Sequence, residues 1–283
     1  MHITENCALN ICAAALAVAA SYGMKCSMTA ILTFMSPEIL GFALLVALLA
    51  GVVKGMVGFA MPMIMISLLG SFVAPDVALA GLILPTLVAN GMQALRQGWA
   101  EAWSSIKRFR LFMAIGLVAM LTSAQLVRVL PQDTLLLMIG LPVVLFCAVQ
   151  LLGWQLRLPA RGRGWIEAGI GGFAGFIGGF SGVWGPPTVM YLTALDTPKA
   201  ENMRVQGVIY GLGAVALFGA HIGSGVMRAE TLPFSLAMII PAMLGTWIGF
   251  QIQDRIDQRG FRKATLAVLL IAGLNLVRRG LIG

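Results

Sequence analysis

The chain has 283 residues, of which 59% are apolar and only 11% charged, against about 25% charged in typical soluble proteins. With a mean hydropathy of +0.92 that composition leaves no soluble surface, and it excludes a soluble enzyme or a disordered scaffold in favour of a multi-span helical membrane protein. The formal net charge is +8, but the Lys and Arg residues punctuate apolar runs instead of lining a face with interleaved aromatics, so they read as topology signals and no nucleic-acid partner is expected.

The first segment, residues 1–35, is an apolar extension without a basic start. It reads as an extra helix, a signal-like sequence or an overextended start, with Met28 and Met35 as alternative initiators. From Glu38 to Asp76 the only charge is Lys54. That stretch is too long for one crossing, awkward for two, and carries Gly and Pro in its middle. Charge-free runs over 77–95, 111–127 and 134–156 then predict three ordinary spanning helices. A basic linker, 154–163, follows. From Glu167 to Asp196 there is no charge at all, and Gly and Pro again interrupt the run. Runs over 205–227, 231–253 and 264–277 predict three more spanning helices.

Basic residues crowd into 96–110 (Arg96, Lys107, Arg108, Arg110), 157–163 (Arg157, Arg161, Arg163) and 255–263 (Arg255, Arg259, Arg262, Lys263). These connections are placed on the cytoplasmic side. The sparse connections around Asp133 and Arg228 then face out, so 38–75 leaves from and returns to the outer side, whereas 167–197 does so from the inner side. Arg278 and Arg279 fall outside against the rule, outvoted by three loops. Trp99, Trp103, Trp154 and Trp165 flank basic connections as interfacial belt residues.

The two interrupted segments match each other. Gly51, Gly55, Gly58 and Pro62 recur as Gly175, Gly179, Gly182 and Pro186 at a constant offset of 124. Chance would produce this on the order of once in a hundred sequences over all offsets, so the halves read as copies. Pro75 with Pro198, and Ala119-Met120-Leu121 with Ala242-Met243-Leu244, match at an offset of 123. The expected fold is an all-α polytopic membrane protein of two inverted-topology repeats, 36–153 and 164–283, each a broken-helix hairpin followed by three transmembrane helices. Five elements per copy is an odd number, which turns the second copy over.

Broken helices leave free N–H groups at a positive dipole end. Breaks near 58–62 and 182–187 therefore predict two half-helix N-termini around one small anion. Lys54 is the sharpest candidate, because an ammonium in an otherwise charge-free stretch needs a partner, water or substrate; its alternative is snorkelling to an interface. The candidate binding set is Lys54, Gly55, Gly58, Phe59, Ala60, Pro62, Gly179, Ser181, Gly182, Trp184, Gly185, Pro186, Asn90 and Gln206. Gln93 and Tyr210 are further donors, each also explicable as a helix–helix contact. Met56, Met61, Met63 and Met65 read as packing. Cys7, Cys12, Cys26 and Cys147 form no CxxC pair and have no His partners at ligand spacing, so neither a disulfide framework, a metal site nor a cofactor is expected.

At these residues the chain resembles the TauE/SafE sulfite exporter family, also known as 4-toluene sulfonate uptake permeases. The match rests on Gly51-Val-Val-Lys-Gly-Met-Val-Gly58-Phe59 running into Met61-Pro62, and on Gly175-Phe-Ile-Gly-Gly-Phe-Ser-Gly182-Val-Trp-Gly-Pro186-Pro187, within a span of about 37–279. The resemblance implies a multi-pass inner-membrane transporter, not an enzyme, that carries small sulfur-containing anions. The sequence departs from the family's glycine-rich pattern at Ala60 and Met61. Two rival readings compete. Gly179-Phe180-Ser181-Gly182 and Ala220-His221-Ile222-Gly223 resemble the nucleophile and base segments of rhomboid proteases, giving a Ser181/His221 dyad; the repeat, the serine-free partner segment Met56-Val57-Gly58 and Pro186-Pro187 weigh against it. A passive small-anion channel is the third reading.

Overall fold

The computed structural model describes residues 35–70, 72–124, 132–152, 163–181, 185–223 and 230–282. Its described residues form eleven helices: α1 Pro37–Val57, α2 Met61–Leu69, α3 Pro75–Leu95, α4 Trp99–Arg108, α5 Arg110–Ala124, α6 Gln132–Leu151, α7 Arg163–Ser181, α8 Gly185–Ala194, α9 Lys199–Gly223, α10 Leu232–Arg255 and α11 Gln258–Ile282. The spans Pro37–Val57, Val77–Leu95, Leu232–Arg255 and Gln258–Ile282 are long and apolar enough to cross a membrane. The extension 1–34 and the Trp154 and Trp184 side chains lie outside the described residues.

Local chemistry explains the boundaries. Ser36 caps α1, its hydroxyl accepting from Ile39 N at 3.4 Å, and Pro37 sits in the first turn, where its missing N–H costs nothing. The helix ends at Gly58, whose φ of +93° is left-handed. Ala60 follows with φ +75° and opens α2 with Pro62 in its first turn. The break thus falls where the Gly and Pro spacing predicts it, but its two arms are unequal. At 21 residues α1 is about 31 Å long, enough for a full crossing, whereas α2 has nine residues. The second interrupted segment likewise resolves into two helices, α7 and α8, flanking 182–184.

The chain forms two compact units. One comprises residues up to 102 together with 203–255, and so contains α1–α3, most of α9, and α10. Here α10 packs along α1 and α3. A Cβ at Gly51 would lie 2.4 Å from Ala242 O, and one at Gly55 2.1 Å from Thr246 O; Gly245 and Gly249 close in the same way on Leu48 and Val52. Glycine on both sides lets the two backbones touch. The rising register of these contacts shows that α1 and α10 run parallel. Conversely α9 runs antiparallel to α3, with Gly207 against Ala94 and Gly211 against Asn90. Met61 and Met65 of α2 are buried in the apolar cluster with Ala47, Leu82, Phe234 and Met238.

The other unit comprises 103–202 and 256–283. Its α7 packs along α5, and α11 along α6. A Cβ at Gly175 would lie 1.9 Å from Gly116 O, and one at Gly171 2.7 Å from Phe112 O, so α5 and α7 are parallel. Gly140 meets Val277, and Gly273 meets Val143, so α6 and α11 are antiparallel. Each unit therefore draws helices from both halves of the sequence. Gly51 and Gly175, equivalent in the duplicated motif, each meet a carbonyl from the opposite half.

Three boundaries differ from the charge-gap reading. The connection 96–110 contains α4, whose Ala102 and Ser105 are buried while Trp99 and Trp103 are exposed. A map of charge-free runs overlooks such a helix because its polar face carries Glu101, Lys107 and Arg108. Helices α9 and α11 also begin earlier than 205 and 264, taking Arg204, Arg262 and Lys263 inside; charged residues are accommodated near a helix end where they reach partners or water.

Candidate functional site

Lys54 lies in the last turn of α1, and its side chain is 1% exposed, so it does not snorkel. The ammonium donates to Asn90 Oδ1 at 2.5 Å and, at 3.4 Å, to the carbonyl of Gly58. Nζ stands 5.9 Å from the centroid of the Tyr210 ring. Among the described residues it has no carboxylate partner. Three pieces of chain hold this cradle together: the end of α1 with the break, the inner part of α3, and α9.

The break is held from α9. Gln206, fully buried, donates through Nε2 to Val57 O at 3.3 Å, and a Cβ at Gly58 would lie 2.6 Å from its Oε1. Glycine is favoured at 58 by its left-handed backbone, and the Gln206 amide, the end of a flexible side chain, packs against it. Phe59 and Ala60 are buried in the turn, and the first N–H groups of α2 lack intrahelical acceptors by construction of a helix. Gln93, one turn along α3 from Asn90, is 1% exposed and donates to Met203 O at 2.7 Å.

Desolvating an ammonium costs several kcal/mol even after relaxation, while a hydrogen bond to a charged group returns about 1.5–3 kcal/mol. One short bond to an amide, one long contact to a carbonyl and the nearby Tyr210 ring offset part of that cost.

The structure thus brings Lys54, Asn90, Gly58 and Gln206 into one neighbourhood with Tyr210, and sets Phe59 and Ala60 in the buried turn that follows Gly58. It assigns Gly55 differently, to the close crossing with α10. Pro62 belongs to the first turn of α2. In the second motif, the backbone of Gly179 and Ser181 lies in the last turn of α7, Gly185 opens α8, and Pro186 is buried. Gly182 and Trp184, and the side chains of Ser181 and His221, lie outside the described residues.

Below Lys54, towards the ends of α3 and α10, the charges are paired. Arg96 meets Asp254 at 2.5 Å and Gln253 at 2.7 Å while lying over Phe250. Arg204 reaches Gln97 and, at 3.6 Å, Glu101. Within the other unit Glu167 is 6% exposed and accepts from Phe112 N at 3.3 Å. A carboxylate at the N-terminus of α5 complements the helix dipole. Its position near a helix end conceals this role in the sequence, and only a contact map could have found it. Thr86, four residues before Asn90 on the same helical face, carried no signal in the sequence either.

Comparison with known proteins gives one positive result. The family model described as Sulfite exporter TauE/SafE matches residues 43–276, most of the chain. No curated protein and no solved structure matches it. The family match favours neither the protease nor the passive channel.

Proposed function

The chain belongs to the TauE/SafE sulfite exporter family of membrane transporters, and from that premise we propose that it exports small sulfur-containing anions, sulfite or organosulfonates, across the inner membrane by alternating access. The single observation that carries the reading is Lys54, an ammonium buried to 1% exposure with an amide and a carbonyl but, among the described residues, no carboxylate beside it. An anion completes its charge balance. The N-terminus of α2, opening at the left-handed Ala60, supplies N–H donors and a positive dipole end.

The architecture we propose for this work is a pair of inverted repeats, 36–153 and 164–283. Two observations support it. The duplicated Gly51 and Gly175 each seat a carbonyl from the opposite sequence half. The helix directions inside each unit, α1 parallel to α10 and antiparallel pairs α3 with α9 and α6 with α11, agree with the alternation set by the basic connections. In this scheme the second motif is the counterpart of 58–60, and backbone groups near residues 182–185 are the donors it supplies.

The test is flux of sulfite and short sulfonates in sealed proteoliposomes. Wild type and Ser181→Ala carry saturable flux, and Lys54→Ala loses it. Flux that survives Lys54→Ala would remove the ammonium from the site, and proteolysis of a membrane substrate that vanishes with Ser181→Ala would replace the transporter by the protease.

A further inference from the structure

The face of α3 that carries Asn90 also carries Thr86 and Gln93, four residues before it and three after, adjacent on one helical face. Both are buried, at 9% and 1% exposure. Asn90 Oδ1 is occupied by Lys54, and Gln93 Nε2 by Met203 O. That second bond fixes the amide orientation, because turning the amide over would set two oxygens against each other. Gln93 Oε1 and Thr86 Oγ1 are then left buried with no hydrogen-bond partner. An unmet buried polar atom costs about 1–3 kcal/mol.

We propose that Gln93 and Thr86 extend the Lys54 cradle along α3 into a site that selects an oxyanion bearing its own acidic hydrogen, a hydrogen-oxyanion such as hydrogensulfite, over an anion with acceptors only. The inference rests on the transport reading and deepens it. A carbonyl oxygen can only accept, so Gln93 Oε1 repels a ligand whose whole periphery is acceptor, and it binds one that offers a proton. Lys54 supplies the complementary donor for the ligand's charged oxygens. A site that offers both a donor and a buried acceptor discriminates against an analogue lacking the hydrogen, because the protein's acceptor is then left unmet. Gln93 and Thr86 are read here as specificity-determining residues, one on each side of Asn90.

Hydrogensulfite and methanesulfonate form the pair of probes, both singly charged and built on one sulfur with three oxygens; the first carries an O–H that donates, and the second, with a methyl group on sulfur, offers acceptors only. The experiment measures kcat/KM for the two anions in proteoliposomes of the full chain at slightly acidic pH, with wild type, Gln93→Met and Thr86→Val. Thr86→Val keeps the shape of the side chain and leaves the bond between Gln93 and Met203 in place, so it stands even where Gln93→Met fails to fold. Wild type prefers hydrogensulfite, and at least one folded variant lowers that preference about tenfold. No preference in wild type, or an unchanged ratio in every variant that folds, with wild-type flux intact, overturns the inference alone, water being the donor in that case. Absence of wild-type flux for both anions overturns the transport reading and this inference with it.

Discussion

At the scale of single residues, the break between α1 and α2 depends on two left-handed positions of different identity. Gly58 adopts φ +93° freely, whereas Ala60 at φ +75° carries a Cβ in a region that costs an L-residue about 1–2 kcal/mol. The departure from a glycine-rich pattern at position 60 is therefore a local strain that the surrounding packing sustains. Ala60→Gly is expected to leave thermal stability unchanged or raised, while Ala60→Val lowers it by about 1–2 kcal/mol, as read by unfolding in detergent. A loss of stability in Ala60→Gly would contradict the strain. Gly58→Ala meets both the positive φ and Gln206, and it should lose stability and flux together. For Lys54 the informative change is Lys54→Met, which keeps the volume and removes the charge. Its fold should survive, since replacing a buried charged group by an apolar one of similar shape is often neutral, while transport fails.

At the scale of elements, α1 and α10 are held by a two-sided glycine contact, Gly51 and Gly55 against Gly245 and Gly249. No side chain fits there: a Cβ at Gly55 would sit 2.1 Å from Thr246 O, closer than real Cβ atoms come to backbone. Gly55→Leu should separate the helices and destabilise the protein by about 3 kcal/mol or more, the range of severe packing defects. Gly41 on the same helix has nothing within 4 Å of a built Cβ, and Gly41→Leu is expected to change the midpoint of unfolding by no more than the usual surface effect. Equal effects at 41 and 55 would show that the crossing is not what makes 55 intolerant. The ion pair between Arg96 and Asp254 is partly exposed, and a double-mutant cycle should return no more than roughly 1 kcal/mol. Its role is to hold the ends of α3 and α10 together, not to supply most of their stability.

At the scale of the whole molecule, the basic connections assign sides that labelling can check. Starting from a variant without Cys7, Cys12, Cys26 and Cys147, single cysteines at Glu101, Gln258 and Glu230 occupy exposed positions. A membrane-impermeant maleimide should reach the first two from the cytoplasmic face only, and the third from the opposite face only. Labelling of Gln258→Cys and Glu230→Cys from the same side would break the alternation on which the inverted repeat depends. The same topology sets how the apolar surface is used. Trp99, Trp103 and Trp165 are 70%, 49% and 88% exposed, a position that suits an indole at the boundary between headgroups and hydrocarbon.

Class, family and the position of the first break were legible in the amino-acid order, because each depends on properties that a sequence carries locally: hydropathy over about 20 residues, the spacing of Gly and Pro, and the sign of charge beside each span. Lys54 was legible for the same reason, as a lone charge in an apolar run. Its partner was not. Nothing in the sequence ranks Asn90 above the other buried amides, and Gly55 reads like a site glycine until α10 is placed against it. The exchange of helices between the two sequence halves, the seating of Gly51 and Gly175 on opposite carbonyls, the capping of α5 by Glu167 and the unmet acceptors beside Asn90 are also products of three-dimensional packing. They depend on which faces of distant helices meet, and a helix shows its face only in the presence of its neighbour.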